Sequence, residues 1–101
     1  VMAEEKFNGA KLLMGQGLHT SALELLLSAQ LATAADRAGL DFPKTATEAG
    51  VWVYSDAIPK GVLNQEEAGL IMQAVGLSQA PSVPEELMDQ LMKDTAVFMA
   101  G

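Results

Sequence analysis

The sequence predicts an all-α fold, an antiparallel bundle of four to five helices in one domain covering residues 1–101. Three observations carry that expectation. Apolar residues recur at helical spacing along most of the chain, Gly and Pro punctuate the segments between them, and nothing alternates in the way a sheet requires.

The first helix is expected over residues 3–16, where Phe7, Ala10, Leu13 and Met14 fall on one face, Glu4 and Glu5 complement the dipole of the first turn, and Gly15 and Gly17 end it. Residues 20–38 form the clearest segment. Ser21 with Glu24 has the spacing of a capping box, and Ala22, Leu25, Leu26, Ala29, Ala32 and Thr33 mark a face that Leu23, Leu27 and Leu31 widen. A helix this apolar belongs at the centre of a bundle or in a dimer interface. Gly39 is the expected stop, with Pro43 beyond it.

A shorter element follows, opened by Thr45 and Glu48 in capping-box spacing and running to about Ile58. Val51, Trp52, Val53 and Tyr54 are good strand formers, but a single short strand would have no partner, so helix is preferred. Asn64 with Glu67 caps a fourth helix carrying Ala68, Ile71, Met72 and Val75, which Gly76 is expected to end. After a Pro/Ser turn, Ser82-Val83-Pro84-Glu85 opens a fifth helix bearing Leu87, Met88, Leu91, Met92, Thr95, Phe98 and Met99.

Composition removes several classes of chemistry. With 13 acidic against 6 basic residues the net charge is −7, and the lysines are scattered singly, which argues against binding a nucleic-acid backbone. Zero cysteines exclude disulfides and thiolate metal sites. No apolar run is long enough for a membrane span, so a soluble cytoplasmic protein is expected. The lone histidine, His19, has no second histidine to share a metal, and the pairs Glu4-Glu5, Glu66-Glu67 and Glu85-Glu86 sit near helix starts, where they complement the dipole. No serine lies in a nucleophile-elbow motif. Neither an enzyme, nor a metal, nor a cofactor is expected.

Two features point to binding instead. Apolar residues make up 50% of the chain, more than a small bundle needs for its interior, which suggests a homodimer using Leu23, Leu27 and Leu31. Trp52 and Tyr54 point about 200° apart on a helix, so at most one can be fully in the core while the other is free to anchor an interface or a ligand, and both join the interface candidates. The methionines Met14, Met72, Met88, Met92 and Met99 fall on helical apolar faces and read as core filling.

The stretch Ala10-Lys11-Leu12-Leu13, then Gly17-Leu18 before a long helix with Ala22 and Ala29, then Ala38-Gly39-Leu40-Asp41-Phe42-Pro43-Lys44-Thr45, resembles the front half of a HEPN domain. Glu85-Glu86-Leu87 through Phe98 is similar to that family's closing helix. Many catalytic members carry an Arg followed a few residues later by a His, a ribonuclease site formed across a dimer. Here Arg37 is the only arginine and His19 lies upstream of it, and the turn that often reads Lys-Thr-His is Lys44-Thr45-Ala46. The resemblance therefore implies a non-catalytic member. It further implies partnership with a nucleotidyltransferase-like protein or nucleotide binding, for which His19, Arg37, Lys44 and Thr45 are the candidate ligand residues. An alternative is a tetratricopeptide-like interaction or chaperone module, suggested by Ala10, Gly17, Ala22 and Ala29; the recurrence about 34 residues on that a repeat array requires is missing.

Overall fold

A computed structural model describes residues 2–101. Helices α1 (Met2–Gly15), α2 (His19–Ala38), α3 (Ala46–Trp52), α4 (Gln65–Ser78) and α5 (Glu85–Ala100) follow one another, and no strand occurs among the described residues. The fold is an all-α bundle. Helix α2 is its axis, packed against α1, α4 and α5, while α3 lies against α4.

This central position explains the composition of α2. Ala22, Leu23, Leu26, Leu27, Ala29, Leu31, Ala32, Ala34 and Ala35 are all buried, so nearly the full circumference of the helix is covered by neighbours. Its alanines let the flanking helices approach closely, and its leucines fill the space between them. Ile71 of α4 and Met88, Leu91 and Phe98 of α5 complete the core. Leu23, Leu27 and Leu31 are thus spent inside the chain, and the wide face that suggested a dimer is the wall of a core shared by three other helices.

Three chain reversals use one device. Gly17, Gly39 and Gly61 have φ of 75°, 70° and 75°, a backbone region that only glycine enters without strain. In each case the next residue donates its N–H five residues back, Leu18 to Leu13, Leu40 to Ala35 and Val62 to Ala57, all at 2.9 Å. That is the Schellman closure of a helical segment, with an apolar residue following the glycine.

Two of the expected caps do not form. The turn at Gly17 closes so tightly that α2 starts at His19, with Leu18 as its uncapped N-terminal residue, which places Ser21 inside the helix. Helix α5 starts at Glu85 behind Pro84, and no side chain caps it. Gly76 does not end α4, which continues to Ser78, because this glycine does not take the left-handed conformation. The caps at Thr45 and Asn64 do form, each side chain accepting from the backbone N–H three residues on while Glu48 and Glu67 reach back.

After Trp52 the helix widens into a π-helical segment, Val53–Ala57. Pro59 lies just beyond and has no N–H to donate, and Ile58 donates to Val53 at 3.0 Å, across the wider π ring. The expected helix to about Ile58 is therefore present, with a changed pitch in its second half.

Candidate functional site

Arg37 and His19 stand at opposite ends of α2, about 27 Å apart along a helix of that length, so they cannot serve one ligand. Arg37 is already engaged. Its Nη1 donates to Glu67 Oε2 at 2.6 Å, its Nη2 donates to the Phe98 carbonyl at 2.9 Å, and its guanidinium lies 4.5 Å from the centroid of the Phe98 ring. This arginine ties the last turn of α2 to the first turn of α4 and the end of α5. Both of its terminal nitrogens are taken up by these contacts. His19 is half-buried at the first position of α2 and makes no side-chain hydrogen bond among the described residues.

Lys44 and Thr45 come together with residues of the expected interface. The 43–46 loop crosses the side of the α1–α2 pair and closes a cleft of about 270 Å³, lined by Leu27, Ser28 and Leu31 of α2 and by Met2 and Lys6 of α1. Leu27 and Leu31 are 5% and 6% exposed, so they form an apolar floor whose small open fraction faces this cleft. Lys6 and Lys44 are half-buried at its rim, and neither is ion-paired among the described residues.

Thr45 is committed elsewhere. Its hydroxyl accepts from the Glu48 N–H at 3.3 Å and lies 3.1 Å from Glu48 Oε1, while its own N–H donates to that carboxylate at 3.1 Å. The backbone bond from Thr45 does most to lower the pKa of Glu48 below the ordinary 4.5, followed by the Thr45 side chain, with Lys44 adding a smaller attraction. Thr45 therefore holds the loop that positions Lys44, and its hydroxyl is satisfied within the loop.

Trp52 and Tyr54 separate as their angular spacing requires. Trp52 is 7% exposed and belongs to the core, whereas Tyr54 is 56% exposed and stands one turn from Val51, itself 75% exposed. Among the described residues no group of three or more His, Asp or Glu side chains is placed to hold a metal ion, and no helix is long and apolar enough to cross a membrane.

No family model, curated protein or solved structure matches this chain.

Sequence reading did not find Lys6 as a cleft residue, or Glu67 and Phe98 as partners of Arg37. Lys6 and Lys44 lie on different elements, and only the crossing of the 43–46 loop over α1 brings them to one opening. The Glu67 signal was present but ambiguous, since the same carboxylate that completes the Asn64 capping box also receives Arg37.

Proposed function

We propose that this chain is a non-catalytic, HEPN-like binding and assembly module of the cytoplasm, and that the cleft between α1, α2 and the 43–46 loop is where it takes an anionic ligand. The observation that carries this reading is the convergence of Lys6 and Lys44 over the apolar floor of Leu27 and Leu31 in a chain whose net charge is −7. Two ammonium groups beside buried leucines suit a ligand with a charged end and an apolar or aromatic body. A nucleotide fits that description, its phosphate toward the lysines and its base against Leu27 and Leu31. His19 and Arg37 take no part.

The assembly side of the proposal comprises a homodimer and a nucleotidyltransferase-like partner of the kind the resemblance implies. With Leu23, Leu27 and Leu31 inside the bundle, the dimer contact moves to Val51 and Tyr54, whose exposure on α3 and the π segment supports it.

Calorimetry with a panel of nucleoside mono- and triphosphates tests the ligand. Binding is expected in the parent chain and is expected to weaken about tenfold or more in Lys6→Ala/Lys44→Ala. No heat and no thermal stabilisation with any nucleotide would remove it. Light scattering tests the dimer, which Tyr54→Ala should dissociate; a parent chain that is monomeric at micromolar concentration overturns that part.

A further inference from the structure

Helices α4 and α5 leave a second groove, of about 460 Å³, between Glu66, Gly69, Leu70 and Gln73 of one helix and Asp94 and Val97 of the other. We infer that this groove docks a cationic amphipathic helix of a partner protein, its apolar stripe on Leu70 and Val97 and its flanking Lys or Arg residues against Glu66 and Asp94.

The shape suits a helix. Glu66, Gly69, Leu70 and Gln73 share one face of α4 over about 10 Å of its length, and Asp94 and Val97 are one turn apart on α5, so the groove runs along the pair for about two turns. Val97 is 73% exposed and shares the groove with the half-buried Leu70, which gives it an apolar floor. Gly69 is exposed and a Cβ built there meets nothing within 4 Å, so this turn of α4 presents bare backbone to the groove. A third helix seated between α4 and α5 therefore approaches the α4 backbone closely.

The charge fixes which helix. Glu66 and Asp94 stand on opposite banks, and neither is ion-paired among the described residues. None of the six basic residues lines the groove: Arg37 is bound to Glu67, Lys6 and Lys44 flank the first cleft, Lys11 and Lys93 line a depression between α1 and α5, and Lys60 is exposed in the turn that follows the π segment. A carboxylate on each bank of an apolar floor complements a helix with cations on both sides of its apolar stripe, and it repels an acidic one. This inference does not depend on the nucleotide cleft, which uses no residue of α4 or α5.

The test uses a helical Leu/Lys peptide of about five turns as probe, titrated by fluorescence polarisation at about 0.15 M salt. The parent chain is expected to bind it, and Glu66→Lys/Asp94→Lys and Val97→Asp are each expected to weaken binding about tenfold or more. Glu85→Lys/Glu86→Lys, which makes the same change in net charge at the far end of α5, is expected to change it less than about twofold. Equal losses in the two charge-reversed proteins overturn the groove in favour of unspecific attraction. Binding of a Leu/Glu peptide overturns the charge assignment. If Val97→Asp instead dissociates a homodimer of the parent chain, the groove belongs to a second copy and the partner helix is wrong.

Discussion

Arg37 Nη1 and Glu67 Oε2 lie 2.6 Å apart, with the guanidinium also bonded to the Phe98 carbonyl and stacked on its ring. One side chain thus fastens α2, α4 and α5 at a single end of the bundle. Because the pair is only about a fifth exposed, its attraction is less screened than that of a surface ion pair.

Arg37→Ala removes the ion pair, the carbonyl bond and the stacking together, and is expected to lower stability by about 2 kcal/mol, read from urea midpoints. Arg37→Lys keeps the charge but loses the planar fork, so it should recover less than half of that difference. A loss under about 0.5 kcal/mol in the alanine variant would show the clamp to be energetically idle.

Gln30 is fully buried, donating Nε2 to Thr95 Oγ1 at 2.9 Å, while its Oε1 has no partner among the described residues. Thr95→Val strands the amide donor as well and is expected to cost about 1–3 kcal/mol. Gln30→Leu should cost less, because it removes the unpaired carbonyl along with the bond, and the double substitution should be milder than the sum of the two. Additive losses in a double-mutant cycle refute this.

Glu48 titrates below 4.5 because the Thr45 backbone N–H, then its hydroxyl, bind the charged form. A lowered folded-state pKa stabilises the fold above the unfolded value, and that contribution disappears as pH falls through the folded pKa. The stability difference between the parent chain and Glu48→Gln should therefore shrink as pH drops from neutral to below 4.5. Carbon-detected NMR titration of the Glu48 carboxyl checks the cause: Thr45→Ala should move its midpoint upward, and an unchanged midpoint contradicts the assignment.

Two glycines of the same chain should respond in opposite directions to alanine. Gly39 holds φ of 70°, so Gly39→Ala should destabilise by about 1 kcal/mol. Gly76 sits within α4 with open space where a Cβ would lie, and Gly76→Ala should stabilise by about 0.5–1 kcal/mol. Thermal melts of both variants decide it, and shifts of the same sign would contradict the conformational account.

Much of the architecture was legible because apolar periodicity and burial share one cause. The α2 face, the αL stop at Gly39 and the caps at Thr45 and Asn64 are local signals, and each has the structure its residues demand. What local signals did not convey was competition between them. Ser21 has the composition of a cap, but the closure at Gly17 commits Leu18 first; Gly76 looks like a stop, but it lacks the positive φ with which Gly17 and Gly39 close α1 and α2. The ligand residues were harder still. Lys44 and Thr45 fall beside the cleft, whereas His19 and Arg37, grouped with them as the resemblance implies, are held apart by a 20-residue helix. Leu27 and Leu31 were found as apolar face residues, and in the chain they are buried and line the cleft.

The glycine reversals also decide where this chain tolerates extra length. At Gly17, Gly39 and Gly61 the backbone bonds that close one helical segment span the residue that begins the next stretch, so an inserted residue breaks the closure and displaces an apolar anchor at once. The 79–84 connector contains no left-handed residue, and its only bonds of this kind, from Gln79 and Ala80, reach back into the end of α4. A tag spliced after Pro81 leaves each of the three reversals whole and keeps Val83, buried in the core, on the α5 side of the splice.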